Sequence, residues 1–313
     1  MRKRLLCRVR MPYEIELLGP TLIKSGNETG MLMEFVRTRR AGSDEGEIYL
    51  PGTSLKGVLR AHGERVLRTL KPGAGACYPY LGGGGRRSGP GDGPASCGSR
   101  VNTKTPRDQV YRDACGACRL FGELGFTGRV AISDAYPVDG DAPRIEVRHS
   151  VAIDRRTGGS AGGALFQAEV AVSGRFRGTI EIENFETWQL GLLAVGLRDL
   201  AAERLTIGMG ASRGFGHVRA SWRQGAEFEY VDEPPGRRVA GIERLATDDE
   251  RRAYALFGRD DAPGPELPPL ERRGLFLVAT ADPDLLEKIF DHATDELRAF
   301  ATWDSWPNPR RAE

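Results

Sequence analysis

The sequence predicts an α+β fold built on a ferredoxin-like βαββαβ core, and three observations carry that expectation. Several segments alternate apolar with polar residues, the mark of half-buried strands. Two longer segments place apolar residues at helical spacing instead. Along the chain they fall in the order strand, helix, strand, strand, helix, strand, which is a βαββαβ unit. The core is expected over residues 1–223, with a cysteine-bearing insertion at 72–118 and a projecting β-hairpin at 144–165. Residues 224–313 read as a C-terminal extension, linker-like and then helical.

Residues 4–18 form the first expected strand, with Leu6, Arg8 and Arg10 on one side and Cys7, Val9 and Met11 on the other. The loop KSGNETG follows from Lys24, where glycines free backbone N–H groups for a close approach and Lys24 and Ser25 supply charge and a hydroxyl. A short strand at Glu47–Leu50 leads through Pro51 and Gly52 into a helix with Leu55, Val58, Leu59, Val66 and Leu70 on its apolar side. Thr53 or Ser54 is expected to cap that helix, while Lys56, Arg60 and Arg68 line its other side. A helix start carrying Ser54 and Lys56 suits a phosphate or offers a solvated basic face.

From Pro72 to Pro106 the chain is poor in apolar residues and includes GGGGRRSGPGDG at 82–93, which cannot pack a core. Cys77 and Cys97 sit inside this stretch, and the CxxC pair Cys115 and Cys118 closes it. Four thiols, two of them separated by a tight turn, suit a tetrahedral Zn2+ ion. With every position filled by sulfur, such an ion is structural rather than hydrolytic. His62 could replace Cys77 or Cys97, and Cys7 is expected to point into the core.

A strand is expected at Val130–Ile132 after the glycines at 122, 125 and 128. Val147, Val151 and Ile153 then mark one arm of the hairpin, with a basic Gly-rich tip from Arg155 to Gly163. Strands at Leu165–Val172 and Phe176–Ile182 turn at Ser173 and Gly174. The helix from Thr187 to Leu205 is nearly all apolar and therefore buried. Glycines at 208, 210, 214 and 216 precede a strand at His217–Trp222, a spacing and context unlike the dinucleotide-binding loop. Arg213 and Phe215 between those glycines fit either a polyanion loop with a stacking ring or a tight turn with Phe215 in the core. Beyond Glu227, VDEPPGRR and DDAPGPELPPLERR read as linkers around a helix near Ala246–Phe257. The closing helix, Asp284–Phe300, has an apolar face that must pack on something, a neighbouring subunit being one option.

The 313 residues can bury a core without disulfides, and 45 Lys plus Arg against 43 Asp plus Glu leave a net charge of +2, so net charge argues for no polyanion. The four histidines form no motif, and no nucleophile elbow, HExxH or P-loop appears. No segment is long and apolar enough to span a membrane, and the basic N-terminus lacks the pattern of a signal peptide. A cytoplasmic protein with reduced thiols is expected.

Four motifs in order then resemble one family: PGTSLKGVLR at Pro51–Arg60, CxxCRLFG at Cys115–Gly122, VAIDRRTG at Val151–Gly158 and GxGxSRGFG at Gly208–Gly216. Together they resemble the RAMP superfamily and, more closely, the backbone subunits of type III CRISPR effector complexes. The resemblance implies a modified RRM core, into which the zinc-bearing insertion read from the cysteines is set, and a hairpin that acts as a thumb interrupting the guide–target duplex. It implies CRISPR guide RNA, complementary target RNA and other RAMP-type subunits as partners in antiviral defence. The RNA-binding residues implied are Lys24, Ser25, Ser54, Lys56, Arg60, Arg148, Arg155, Arg156, Arg213 and Phe215. Catalytic relatives carry an aspartate in the loop after the first strand, and Leu32 stands at the matching position, so no catalytic residue is assigned. The alternative is a target-RNA endoribonuclease using an acidic residue of that loop, among Glu28, Glu34, Asp44 and Glu45. A third reading is a zinc-stapled scaffold that binds protein through its C-terminal helix.

Overall fold

Strand β1 (Cys7–Leu17) shows why the sheet forms where it does. Cys7, Val9, Met11, Tyr13, Ile15 and Leu17 are all buried, while Arg8, Arg10, Glu14 and Glu16 point to the opposite side. The structure is a computed structural model and describes residues 4–26, 32–39, 46–72, 75–78, 96–102 and 104–303. The expected 82–93 loop and the acidic residues Glu28, Asp44 and Glu45 lie outside the described residues.

The elements follow in chain order. Short pairings β2 (Leu32–Met33), β3 (Arg37–Thr38) and β4 (Glu47–Ile48) lead to helix α1 (Gly52–Leu70). Two single-turn helices, α2 (Arg107–Arg112) and α3 (Gly116–Phe121), and the small hairpin β5 (Gly122–Glu123) and β6 (Phe126–Thr127) precede β7 (Val130–Ile132) and β8 (Tyr136–Pro137). The long arms β9 (Arg144–Ile153) and β10 (Ser160–Ser173) run into β11 (Arg175–Glu183), helix α4 (Thr187–Ala201) and β12 (Val218–Ser221). Then come β13 (Ala226–Tyr230), α5 (Ile242–Leu245), α6 (Asp248–Tyr254), β14 (Glu271–Arg273), β15 (Phe276–Ala281) and α7 (Pro283–Thr302).

The result is a mixed α+β protein with antiparallel sheets. The main sheet runs β14-β15-β13-β1-β11-β7, with β12 also on β1 and β8 also on β11. Two residues lying beyond the expected core boundary, Glu227 and Glu229, sit in β13 directly opposite Arg10 and Arg8. Of the stretches that read as linkers, the second contributes buried Leu267, and Val239, Ala240 and Ile242 directly after the first are buried too. Single apolar residues between prolines show no period, which is why local pattern reads them as linkers.

Helices α1, α4 and α7 pack in a row. Gly63 of α1 receives the Leu192 side chain of α4, and Gly196 of α4 receives the Leu59 side chain of α1, so each helix offers a glycine notch to a leucine of the other. Gly191 meets the backbone of Ala293, where an added Cβ would sit 2.0 Å from the carbonyl oxygen. Trp188 and Phe300 stack with ring centroids 3.8 Å apart and planes 4° from parallel. Truncating such a buried aromatic costs about 3–5 kcal/mol. The apolar face of α7, including Leu286, Ile289, Phe290 and Leu297, is thus buried within the chain, which removes the surface on which the protein-scaffold reading relied.

Two helix termini differ from expectation. Neither Thr53 nor Ser54 caps α1: the helix begins at Gly52 after Pro51, and the Gly52 N–H donates to Asp134 Oδ1 at 2.9 Å. Gly52 suits that start because its backbone packs on β7, a Cβ there falling 2.1 Å from the Ile132 carbonyl oxygen. Helix α4 stops at Ala201, short of Leu205, because Glu203 takes a left-handed conformation at φ 60°.

Candidate nucleic-acid interface and metal centre

The open face of the main sheet is a ladder of arginines and carboxylates. At one end Arg8 and Arg10 of β1 lie between Glu183 and Glu181 of β11 and Glu229 and Glu227 of β13. At the other end the signs invert: Glu14 and Glu16 of β1 lie opposite Arg177 and Arg175 of β11. Arg8 bonds Glu229, Arg177 bonds Glu14 at 2.5 Å, Arg175 bonds Asp141 at 2.6 Å, and Arg219 bonds Glu203. Opposite charges at cross-strand positions are an expected stabilising pair, and here they neutralise the face.

The projecting hairpin and the Gly-rich loop contrast with that ladder. Arms β9 and β10 pair from Arg144 with Ser173 to Ile153 with Ser160, leaving Val147, Val151 and Ile153 exposed. At the turn the Asp154 carboxylate accepts the Arg156 N–H at 2.8 Å, and Gly158 takes φ 71°. Arg155 and Arg156 are exposed, and neither has a carboxylate ion-pair partner among the described residues. Arg148 is different, since it pairs with Glu146 at 2.9 Å.

Loop residues 208–216 sit against the end of the first strand. Met209 N–H donates to Leu22 O at 2.8 Å, and Gly216 N–H donates to Pro20 O at 2.8 Å. Gly208, Gly210, Gly214 and Gly216 all adopt positive φ, and an added Cβ at Gly208 or Gly216 would lie 2.2 Å from a carbonyl oxygen. Only glycine meets both demands. The loop presents Arg213 outward, with its guanidinium 5.4 Å from the Phe166 ring centroid and 5.9 Å from that of Phe215. Phe215 is half-buried, so its ring serves packing and guanidinium contact together. Phe166 was not among the residues singled out from sequence, because its position in a regular strand carries no motif.

Lys24 and Ser25 stand beside this junction. Lys24 is exposed and bridges Phe35, and the Ser25 N–H donates to Glu34 O at 3.0 Å. The same segment is tied to the hairpin by Glu169, which accepts from Phe35 N at 3.0 Å and from Arg37 at 2.6 Å. The Arg37 guanidinium and that backbone N–H hold the Glu169 carboxyl below the usual carboxylate range. Leu32 lies in β2, paired with Gln167 of β10.

The residues at the start of α1 turn inward instead. The N–H expected for a phosphate is taken by Asp134, Ser54 is half-buried, and the Lys56 ammonium donates to Val130 O at 2.9 Å. A groove of about 400 Å3 beside them is lined by Thr53 and Lys56 but also by Glu181 and Glu183. Arg60 reaches the thiols described next.

Cys77, Cys97, Cys115 and Cys118 are all buried, and their sulfurs lie within 4.8 Å of one another. The Cys77 and Cys118 sulfurs are 3.7 Å apart, close to the edge of about 3.8 Å for a tetrahedron with Zn–S bonds of 2.3 Å. Cys97 begins a 3-10 turn, Cys115 precedes α3, and Cys118 lies within it; the Cys115 N–H donates to the Cys97 sulfur at 3.3 Å. Hydrogen bonds from Cys115 and Cys118 draw the Cys77 thiol below the usual thiol range. A neutral apolar clip would gain nothing from such a donor set, whereas a thiophilic divalent ion such as zinc is satisfied by it. His62 lies elsewhere, 2.7 Å from Asp199.

A buried polar network joins the cysteine insertion to the C-terminal residues. Tyr111 O–H donates to Glu186 Oε1 at 2.6 Å, Gln189 and Arg129 donate to Tyr111, and Glu186 accepts the Phe257 N–H at 2.8 Å. Arg119, fully buried, donates to Ala255 O and Arg112 O. Nearby, burial pushes the Glu243 carboxyl up to about 7, although Thr187 Oγ1 donates to it at 2.5 Å.

Among known families, the model described as RAMPs, RAMP superfamily, matches residues 14–219. No curated protein matches the chain. No described helix is long and apolar enough to cross a membrane.

Proposed function

The chain belongs to the RAMP superfamily, whose members are CRISPR-associated RNA-binding subunits, and from that premise we propose that it is a guide-RNA-binding backbone subunit of a type III effector complex. The observation that carries this reading is the distribution of unpaired arginine. Arg155 and Arg156 at the hairpin turn and Arg213 on the Gly-rich loop have no carboxylate ion-pair partner among the described residues, whereas the sheet face neutralises its own charges. Guanidinium groups kept free in this way neutralise phosphates without reading sequence, which suits a protein whose guide supplies specificity by base pairing.

In this reading the core over residues 1–223 is ferredoxin-like, supported by the succession β1, α1, β7, β11, α4, β12 and by the agreement of its boundary with the family match. Beyond that boundary, β13, β15 and β14 extend the same sheet. The hairpin serves as the thumb, Arg213 and Phe215 with Phe166 hold the guide backbone at its base, and Lys24 and Ser25 flank them. Arg148 adds to the hairpin once its pairing with Glu146 opens. Ser54, Lys56 and Arg60 contribute least to RNA, because Lys56 and Arg60 already have internal partners. The four cysteines hold structural zinc. Partner subunits of the same superfamily, complementary target RNA and a cytoplasmic setting complete the proposal.

The subunit binds without cutting, since the position matched to the aspartate of cleaving relatives is Leu32, whose side chain neither gives nor takes a proton. Guide-loaded complex incubated with labelled complementary RNA and divalent metal tests this. Intact target supports the reading; cuts at regular intervals that vanish in Glu34→Ala establish the nuclease instead. RNA retention tests the binding claim: Arg155→Ala, Arg156→Ala and Arg213→Ala together are expected to lose guide RNA during purification, and full retention overturns it.

A further inference from the structure

The basic row of α1 has a use that its sequence does not announce. Arg60, Glu64 and Arg68 recur at intervals of four, so they share one helix face. That face meets the thiol cluster. The Arg60 guanidinium makes three contacts: Nη2 lies 3.5 Å from Cys118 Sγ, Nη1 donates to Gly122 O at 3.0 Å, and Nε donates to Glu64 Oε1 at 3.1 Å. Arg68 donates to Cys77 O at 2.7 Å and to Glu64 Oε2 at 3.0 Å, and its guanidinium lies 4.4 Å over the Tyr78 ring. Glu64 is buried and bridges both arginines. One guanidinium therefore reaches the sulfur of Cys118, and the other anchors the backbone of Cys77, the two cysteines whose sulfurs are 3.7 Å apart.

We propose that Arg60 is a positioning residue of the metal centre, fixed by Glu64 and Gly122 so that it donates to the Cys118 sulfur and offsets the charge of the thiolate shell. This rests on reading the four cysteines as the shell of a divalent ion. A divalent ion with four thiolates carries a formal charge of about −2, and burying it without a nearby cation is unfavourable. Arg60 supplies that cation at the sulfur itself, and a hydrogen bond to a ligating sulfur tunes its donor strength. Arg68 acts on the carbonyl of Cys77 and holds the chain that delivers the thiol. Helix α1 becomes part of the metal site, and a side chain that the family resemblance assigned to RNA serves sulfur.

The test is a competition titration of the purified chain with a chromophoric chelator, using zinc for affinity and cobalt for the sulfur-to-metal charge-transfer bands. Arg60→Met is expected to weaken zinc about 10–100-fold and to shift the cobalt bands. Arg60→Lys keeps the charge but not the fork, and should fall between Arg60→Met and wild type. Arg68→Met should weaken zinc less than Arg60→Met and leave the bands in place. If Arg60→Met is too poorly folded to titrate, Glu64→Gln replaces it, with a smaller loss of affinity and a band shift expected. Wild-type affinity and unshifted bands in folded Arg60→Met, or in Glu64→Gln used in its place, overturn the proposal. A wild-type chain that takes up no ion, or a Cys115→Ser, Cys118→Ser chain that retains it, overturns the metal reading itself.

Discussion

The sheet face and the hairpin–loop junction are both rich in arginine, yet they are opposite in electrostatic character. Along β1 every arginine has a glutamate at a paired position on the next strand, and where β1 turns acidic its neighbours turn basic. At the hairpin turn the Arg155 and Arg156 side chains have no carboxylate ion-pair partner among the described residues, and on the Gly-rich loop the Arg213 guanidinium lies near the Phe166 and Phe215 rings. Counting arginines would rank the two regions equally. Pairing separates them, because a guanidinium already bonded to a carboxylate must give up that partner before it can take a phosphate.

The largest effect is expected at a buried carboxyl with no ion-pair partner among the described residues. Glu243 is fully buried with hydroxyl and backbone N–H donors only, and its carboxyl is raised to about 7. The folded state therefore binds a proton that the unfolded state has released between pH 4.5 and 7, so stability falls as pH rises through that window. The fall attributable to Glu243 is on the order of 3 kcal/mol, read as the difference in denaturation free energy between pH 5 and pH 7.5. Glu243→Gln should flatten that difference; an unchanged pH profile would show that the carboxyl is ionised in the fold.

Removing the unpaired arginines comes next. Arg155→Ala, Arg156→Ala and Arg213→Ala combined should weaken guide-length RNA on the order of 100-fold at low salt. The slope of log K against log salt should shrink by about 2. An unchanged slope in filter binding would place the phosphate contacts elsewhere. Asp134→Ala, which strips the carboxylate from the first N–H of α1, should cost about 1 kcal/mol in a denaturant titration and leave RNA affinity alone. A gain in RNA affinity there would mean that the vacated helix start takes phosphate after all. The smallest effect is expected from Arg175→Ala with Arg177→Ala on the sheet face, with RNA affinity within about twofold of wild type because exposed pairs of this kind contribute little. A loss matching that of the hairpin–loop triple would erase the distinction between the two regions.

Much of this was legible in the sequence, and the reasons differ from element to element. The period-two alternation of Cys7 to Leu17 stated which side of β1 is buried, since one face of a strand must leave water and the other need not. The CxxC spacing and two more cysteines gave the four thiols that the fold gathers. What was not legible depends on distant partners. The cap of α1 comes from Asp134, 82 residues away, so Thr53 and Ser54 satisfied a local rule that the fold does not use. The basic side of α1 read as solvated or phosphate-facing because nothing nearby in sequence says that a cysteine cluster will cover it. No motif in the sequence singles out Arg119 and Glu186, and their burial is understandable only once α2, α4 and residues 254–257 meet around Tyr111.

Ultraviolet cross-linking of the intact chain to guide-length RNA, followed by peptide mapping, tests the central claim most directly. Cross-links on peptides spanning 144–166 and 208–216, with β11 residues 177–183 clean, are the predicted result. Cross-links concentrated on β1 and β11, with the hairpin and the Gly-rich loop clean, would contradict it.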